Sequence, residues 1–278
     1  MQIIKNVKDM SQACRQARRT LGLVPTMGAL HQGHRSLVRQ ARAENATVAA
    51  TIFVNPAQFG ANEDLAKYPR DLEGDLDLLN HEGVDLVFTP GPEAIYPPGF
   101  DTWVDVGAIG DKLEGAHRPG HFRGVATVVA KLFNIVQPDR AYFGQKDGQQ
   151  TLVVRQLVRD LNLELDVVIV PTVREPDGLA LSSRNAYLTP EQRRAAPVIY
   201  QSLCRAKDRW HQGDRDAETL RQTAREFLGM EPMIERIDYI SLADANTLAE
   251  LDQVEGPAML LVAVKLGTPR LIDNIILE

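Results

Sequence analysis

The sequence predicts an α/β fold, in which a parallel β-sheet with helices on both faces is followed by a smaller α+β domain. Over the first two thirds of the chain, short β-rich runs alternate with helix-like runs, a pattern typical of parallel sheets. Beyond Arg184 the alternation stops, and helical stretches precede three strand-like runs. A chain of 278 residues can form one large domain or two modest ones. We therefore expect domains over residues 1–184 and 185–278.

Local patterns predict the individual elements. The strands predicted in the first domain cover residues 21–24, 48–55, 84–89, 140–144 and 167–171. The helices predicted between them cover residues 34–43, 71–82, 125–136 and 148–162. In the second domain, Thr189 and Pro190 suit the cap and first turn of a helix that runs towards Trp210. The remaining predicted elements are a helix over residues 217–228 and strands over residues 237–241, 259–264 and 271–276.

The composition is typical of a soluble globular protein, with 44% hydrophobic and 24% charged residues. No apolar run approaches the ~20 residues that span a bilayer, and the N-terminus lacks the apolar core of a signal peptide. The formal net charge of -6 argues against general nucleic-acid binding, which favours a basic surface. The two cysteines, Cys14 and Cys204, are predicted to be free thiols in a reducing compartment.

The most informative segment is His31-Gln32-Gly33-His34, which joins a predicted strand to a predicted helix. Backbone N–H groups and partial positive charge at a helix N-terminus favour phosphate. Either histidine could stabilise the charge that develops on an α-phosphate during nucleotidyl transfer. An ordinary turn with two surface histidines would have the same sequence, so this segment alone leaves both interpretations open.

Two further segments could contact a small polar ligand. Residues 53–59 end a predicted strand in an Asn-Pro turn signal, and Asn55 and Gln58 could orient hydroxyls or carboxylates. Residues 113–124 are rich in Gly, Pro and basic side chains and could fold over an anionic ligand. Taken alone, each is better explained without a ligand, as a strand end with core aromatics and as a surface loop with solvated charges.

Two later turns suit phosphate. In residues 143–150, Lys146 supplies positive charge, and Asp147 could either hold Mg²⁺ through one carboxylate or cap a helix. In residues 177–185, serine hydroxyls precede Arg184, whose planar guanidinium matches phosphate, although a Ser-rich linker is the alternative. No Walker A or Gly-x-Gly-x-x-Gly pattern occurs, which disfavours P-loop NTPases and dinucleotide enzymes.

Together and in this order, the segments resemble the pantothenate synthetase (pantoate–β-alanine ligase) family of the nucleotidyltransferase superfamily, which carries an HxGH motif. The resemblance covers essentially the whole chain. The matching segments are Pro25-Thr26-Met27-Gly28, His31-x-Gly33-His34, residues 53–59, Tyr68-Pro69-Arg70, residues 118–122, Lys146-Asp147-x-Gln149-Gln150, residues 177–185 and Leu271-Ile272-Asp273-Asn274.

The resemblance implies a Rossmann-like nucleotidyltransferase domain and a smaller C-terminal domain that covers the site. It also implies a cytoplasmic homodimer that uses ATP and requires Mg²⁺, without a nucleic-acid or membrane partner. In the implied reaction, pantoate attacks the α-phosphate of ATP to give pantoyl-adenylate and pyrophosphate. β-Alanine then displaces AMP to give pantothenate.

The resemblance also implies residue roles. The implied catalytic residues are His31, His34, Lys146 and Arg184, with His34 as proton donor, and Asp147 would lie near Mg²⁺. Gln58 and Gln150 would bind pantoate, with Gln58 also near β-alanine. The implied ATP contacts are Met27, Gly28, Ala29, Leu30, His31, Gln32, Gly33, His34, Gly144, Gln145, Lys146, Asp147, Val173, Leu181, Ser182, Ser183 and Arg184.

The chain departs from the usual family pattern in three places. Gln145 stands where Glu is usual, Gly148 where an aromatic residue is frequent, and Gly74 and Asp75 where adjacent acidic residues are frequent. The change at Gln145 is expected to remove a negative charge beside Lys146. The change at Gly148 is expected to remove packing behind the turn over residues 143–150.

Two alternatives to a pantoate ligase follow from the sequence. One is a nucleotidyltransferase of the same architecture that transfers AMP to a phosphate ester. Such an enzyme would need additional Lys or Arg residues where this chain has the neutral Asn55, Gln58 and Gln150. The other is a non-catalytic nucleotide-binding relative, suggested by the departures at Gln145 and Gly148.

Overall fold

The computed structural model describes residues 1–60, 63 and 65–278, and the chain forms two compact units. The first unit contains residues 1–144 and 153–170, and the second contains residues 145–152 and 171–278. The domain boundary predicted between residues 184 and 185 stays a prediction. Cys14 and Cys204 are free thiols, as predicted. In the described part of the chain, no helix has the length and apolar character needed to cross a membrane.

A parallel sheet forms the centre of the first unit, and within the described residues it has six strands. In chain order they are β1 Gln2–Ile4, β2 Leu21–Thr26, β3 Thr47–Ile52, β4 Leu86–Phe88, β5 Arg140–Gly144 and β6 Asp166–Val170. Their order across the sheet is β1-β4-β3-β2-β5-β6. From β2 the chain adds strands first on one side and then on the other, so the strand order reverses between β2 and β5. Parallel sheets bind ligands beyond the carboxyl ends of strands at such a reversal.

Helices connect these strands, which confirms the predicted α/β class. They are α1 Val7–Gln16, α2 Gln32–Glu44, α3 Leu72–His81, α4 Pro92–Ile95, α5 Glu114–His117, α6 His121–Val136 and α7 Gly148–Asp160. Neither β1 nor α1 is among the predicted elements, and β1 is a weak pattern because it has three residues, of which Ile4 alone is buried. The predicted start of α6 at residue 125 is four residues too late. The helix begins at His121 because Gly120, with φ +82°, ends the preceding turn.

One core cluster of the first unit involves its sheet with α2 and α3, and α6 contributes a further set of buried side chains. The buried side chains of the cluster with α2 and α3 are Val24, Leu37, Val38, Ala41, Val48, Ala50, Leu79, Val84, Val87, Tyr142 and Val170. Apolar residues of α2 recur at the spacing of one helix face, since Leu37, Val38 and Ala41 are all buried. The N-terminus of α2 follows the end of β2 after a turn of residues 27–31.

The second unit combines helices with a sheet, as the α+β prediction requires, and the pairing in this sheet is antiparallel. Its helices are α8 Pro190–Ala195, α9 Val198–His211 and α10 Ala217–Gly229, and its strands are β7 Arg236–Asp244, β8 Ala258–Lys265 and β9 Arg270–Leu277. The strand order is β7-β8-β9. The long helix predicted to run towards Trp210 is instead two helices. Pro197 separates α8 from α9 because its ring nitrogen cannot donate the helical hydrogen bond.

Candidate active site

The turn between β2 and α2 carries both histidines of the HxGH segment. His31 caps α2, and its Nδ1 accepts the N–H of Gly33 at 3.1 Å, while Nδ1 of His34 accepts the N–H of His31 at 3.2 Å. A neutral imidazole that accepts at Nδ1 carries its proton on Nε2. The two ring centroids lie 4.2 Å apart. The capping bonds therefore hold two adjacent imidazoles with Nε2 as the proton-bearing atom, at the positive end of a helix dipole.

A buried carboxylate holds the preceding part of this turn. Asp75, on α3, accepts the N–H of Ala29 at 2.9 Å and that of Leu30 at 2.7 Å, and it is 4% exposed. Gly28 and Ala29 both have positive φ, and a Cβ on Gly28 would lie 2.8 Å from Oδ2 of Asp75. Burial raises the pKa of Asp75, against the opposing effect of the two N–H donors. The backbone donors of Ala29 and Leu30 therefore have an acceptor within the protein.

Asp75 holds the HxGH turn, a role that its sequence position does not predict, since position 75 stands out there only as a departure from the family pattern. The acid lies 45 residues from Leu30 in the chain. Buried N–H groups of a tight turn such as Ala29 and Leu30 need an acceptor, but the positive φ angles that show this turn are seen only in the structure. The sequence does not say which acid supplies the acceptor.

Gln58 is held with a defined amide orientation. Its Oε1 accepts from Nδ2 of Asn55 at 3.0 Å, and its Nε2 lies 3.2 Å from Sδ of Met27. Tyr96 donates its hydroxyl to Oδ1 of Asn55 at 2.7 Å, which orients Asn55 in turn. Nδ2 of Asn55 also donates to the carbonyl of Gly124 at 3.2 Å. Because thioether sulfur is a weak acceptor, Nε2 of Gln58 is suited to donate to a stronger acceptor on a ligand.

His121 holds the main chain of Gln58 from the other side. Its Nδ1 donates to the carbonyl of Gln58 at 2.8 Å, and its Nε2 lies 3.1 Å from Nη1 of Arg118 and accepts from it. Arg118 also pairs with Glu63, with a shortest distance of 2.6 Å. The segment over residues 113–124 is thus largely helical and carries a partly buried ion pair, and it is not the surface loop with solvated charges that its composition suggests. Burial and the nearby guanidinium lower the pKa of His121 to about 4.

The low pKa of His121 predicts a loss of stability in mild acid. The unfolded chain takes up the proton near pH 6.5, while the folded protein takes it up near pH 4. The contribution of His121 to the free energy of unfolding is therefore fully present above pH 6.5, and it is lost as the pH drops towards 4. Between pH 7 and pH 5 we expect a decrease of about 2 kcal/mol in the free energy of unfolding, measured by urea denaturation.

The matched variant is His121→Asn, whose side-chain amide can still donate to the carbonyl of Gln58. It removes the titrating group, so the decrease between pH 7 and pH 5 should shrink by about 2 kcal/mol. An unchanged pH dependence in His121→Asn would mean that other groups cause it. His211→Asn, at an exposed end of α9, is the control and should behave like the parent chain.

In the second unit, Lys146 and Asp147 lie in a single 3₁₀ turn, Gln145–Asp147, that precedes α7. Nζ of Lys146 is 3.1 Å from Oδ1 of Asp147, and the Asp147 side chain is 45% exposed. Gly148 follows, and a Cβ there would lie 2.5 Å from Sδ of Met259 and 3.1 Å from Asn274. The expected loss of packing behind this turn is therefore wrong, because Met259 and Asn274 occupy the space that a side chain at position 148 would need.

Residues 173–184 form a hairpin followed by a short turn. The N–H of Leu181 donates to the carbonyl of Val173 at 3.0 Å, and Arg174 bridges to Ala180, so the two strands of the hairpin pair. The hydroxyl of Ser182 then accepts the N–H of Arg184 at 3.2 Å and caps the 3₁₀ helix Ser183–Tyr187. This segment is an ordered part of the second unit and not a flexible linker.

Each unit thus gathers its own share of the predicted site residues. Those on the β2–α2 turn are Met27, Gly28, Ala29, Leu30, His31, Gln32, Gly33 and His34, and Gln58 contacts the first of them. Gly144 ends β5. The second unit carries Gln145, Lys146, Asp147, Gln150, Val173, Leu181, Ser182, Ser183 and Arg184. The first unit supplies imidazole and amide donors and the second supplies ammonium and guanidinium donors, and each of these groups suits phosphate or carboxylate.

Comparisons with known proteins agree with this chemistry. The family model described as pantoate-beta-alanine ligase matches residues 2–276. The chain is 61% identical to a pantothenate synthetase of Chloroflexus aurantiacus, over 100% of this chain and 99% of that protein. The crystal structure of pantothenate synthetase from Thermus thermophilus matches with a TM-score of 0.95 and 50% identity, over 99% of both chains.

A third match is to a structure that was solved with ligands bound. The pantoate-beta-alanine ligase of Francisella tularensis, solved in complex with beta-gamma ATP and beta-alanine, matches with a TM-score of 0.81 and 35% identity. The match covers 99% of this chain and 97% of that one. Since the family model and these relatives all extend over nearly the full length, the chain belongs to the pantoate–β-alanine ligase family.

Proposed function

We propose that this chain condenses (R)-pantoate with β-alanine to give pantothenate, in an ATP-dependent reaction that passes through pantoyl-adenylate. The observation that carries the proposal is the adjacent pair of imidazoles of His31 and His34, which form the capping hydrogen bonds at the N-terminus of α2. Two Nε2–H donors at a helix N-terminus suit the α-phosphate of a nucleotide. Family membership over the full chain supports the same activity.

In the first step, a carboxylate oxygen of pantoate attacks the α-phosphorus of ATP, and the bond to the pyrophosphate oxygen breaks. The carboxylate is already a nucleophile, so this step needs charge neutralisation rather than a strong base. We assign that role to His34 with His31, Lys146 and Arg184, whose positive or donor groups would offset charge as the five-coordinate phosphorus forms. His34 would act as the donor closest to the reacting phosphate.

Pantoate recognition is assigned to Gln58 and Gln150. The network of Asn55 and Tyr96 fixes the Gln58 amide with Nε2 directed at Sδ of Met27. A hydroxyl or carboxylate oxygen of pantoate would be a better acceptor for this N–H than the sulfur. Methyl groups of pantoate would pack against Met27 and Phe59. A site that pairs substrate hydroxyls rejects analogues without them strongly, because its buried polar groups are then left unpaired.

In the second step, the neutral amine of β-alanine attacks the acyl carbon of pantoyl-adenylate. The carbon–oxygen bond to AMP breaks, AMP leaves, and the nitrogen loses a proton as the amide forms. The first step therefore consumes ATP and releases pyrophosphate, and the second releases AMP and pantothenate.

Asp147 fits the proposed Mg²⁺ requirement. Within residues 1–60, 63 and 65–278, no three His, Cys, Asp or Glu side chains are grouped as a metal site. Mg²⁺ commonly takes one or two carboxylates and completes its shell with phosphate oxygens and water, which suits a single half-exposed carboxylate. When bound, the ion would neutralise phosphate charge beside Lys146.

The deciding experiment measures AMP release with pantoate, ATP and Mg²⁺, with and without β-alanine. We expect pyrophosphate release that depends on pantoate, and AMP plus pantothenate only when β-alanine is added. A product in which AMP is joined to a phosphate ester would indicate the related nucleotidyltransferase activity. ATP binding without any pyrophosphate release would indicate a non-catalytic relative.

Two further features of the family are proposed for this chain. One is assembly as a homodimer, which light scattering after gel filtration tests directly. The other is a cytoplasmic location, in keeping with the two free cysteines.

A further inference from the structure

Two adjacent residues of β9, Asp273 and Asn274, form a buried polar pair that the proposed chemistry does not use. They are 4% and 3% exposed. Antiparallel pairing with β8 places Asp273 opposite Val262 and Asn274 opposite Leu261, so both are fixed in the register of the sheet. Buried polar groups are costly unless they are paired, and each of these two side chains is fully engaged.

Asn274 contacts the turn that contains Lys146. Its Nδ2 donates to the carbonyls of Gln145 and Lys146, each at 2.9 Å. Its Oδ1 accepts from Nε2 of Gln145 at 2.8 Å. One carboxamide thus fixes both main-chain carbonyls and one side chain of this turn. A carboxylate could not donate to the two carbonyls, so the amide is required for the arrangement.

Asp273 contacts the hairpin that precedes Arg184. Both carboxylate oxygens accept from the guanidinium of Arg174, at 2.6 and 2.9 Å. Arg174 also donates to the carbonyl of Gly178 at 3.1 Å, and its guanidinium lies 3.7 Å from the ring centroid of Tyr200. Bidentate pairs of this kind hold both orientation and distance. The hairpin is therefore anchored at its base, next to Val173.

We propose that Asp273 and Asn274 are positioning residues for ATP, because they attach the two phosphate-suited segments of the second unit to consecutive residues of one strand. This inference rests on the proposed function, in which Lys146 and Arg184 contact the nucleotide. Since consecutive residues of a strand direct their side chains to opposite faces, one peptide unit sets the relative placement of the two segments. Without the Asn274 side chain, Lys146 could leave its position. Without the Asp273 side chain, the same would hold for Arg184. In both cases the cationic side chain itself is unchanged.

The test uses the full chain with Asn274→Ala and, separately, Asp273→Asn. ATP binding is measured by isothermal titration calorimetry with Mg²⁺ and without pantoate, and the KM values for ATP and β-alanine are measured in the full reaction. For each variant we expect the Kd and the KM for ATP to rise at least tenfold. The KM for β-alanine should change less than twofold. A merely structural role would lower the melting temperature without this separation of the two KM values.

Asn246→Ala, at an exposed asparagine of the same unit, is the matched control and should leave both KM values unchanged. If Asn274→Ala does not fold, the isosteric Asn274→Asp replaces it and should show the same rise in Kd. Equal ATP affinity in the parent chain and the folded variants would overturn the inference. Absence of ATP binding by the parent chain would instead overturn the proposed function.

Discussion

Replacing His34 by alanine is expected to lower pantoate-dependent ATP–pyrophosphate exchange about a hundredfold. The loss of one preorganised donor to a developing phosphate charge costs ~3 kcal/mol of transition-state stabilisation. The capping geometry makes a finer test possible, because Nδ1 of His34 accepts the N–H of His31 and only Nε2 is assigned to the nucleotide. A substitution at position 34 can therefore keep the hydrogen bond made by Nδ1 while it removes the donor at Nε2, or the reverse.

His34→Asn and His34→Gln separate these two roles. The amide of asparagine can reach the position of Nδ1 and keep the cap, whereas that of glutamine can reach the position of Nε2. We expect His34→Asn to lose as much exchange activity as His34→Ala, and His34→Gln to retain more. Equal activity of His34→Asn and the parent chain would refute the assignment to Nε2. His81→Asn, at an exposed position of α3, is the control and should not change the rate.

The second large effect is expected at Asp75, which we infer to be a positioning residue for the HxGH turn. In Asp75→Asn one of the two N–H groups of Ala29 and Leu30 would face an amide donor instead of an acceptor. Leaving a buried donor without its acceptor costs about 2 kcal/mol. We expect the free energy of unfolding to fall by that amount, and kcat/KM for ATP to fall roughly thirtyfold.

The comparison variant is Asp77→Asn, which makes the same chemical change at an exposed position of α3. It should leave unfolding and catalysis unchanged. Urea denaturation and exchange kinetics on both variants give the two readouts. If Asp75→Asn loses stability but keeps kcat/KM for ATP, Asp75 stabilises the fold and does not position the turn for the nucleotide.

Sequence reasoning was most successful where a local pattern reflects a local cause. The strand-to-helix position of the HxGH turn follows from periodicity on both sides, and β2 and α2 confirm it. It failed where a single residue changes the local outcome, as when Pro197 divides the predicted long helix into α8 and α9. Gly148 illustrates a different failure. A missing side chain suggested lost packing, whereas Met259 and Asn274 fill that space.

The sequence by itself determined the α/β class, the order of the phosphate-suited segments and the identity of the charged and histidine groups that the proposed chemistry needs. Only the tertiary structure decided how these segments are held. Asp75 reaches Leu30 across 45 residues, and Asn274 reaches Lys146 across 128. Helix and strand periodicity reports which face of an element is buried, and this depends on near neighbours in the chain. A hydrogen bond between distant segments depends on where the packed fold brings two atoms, and no local pattern encodes that.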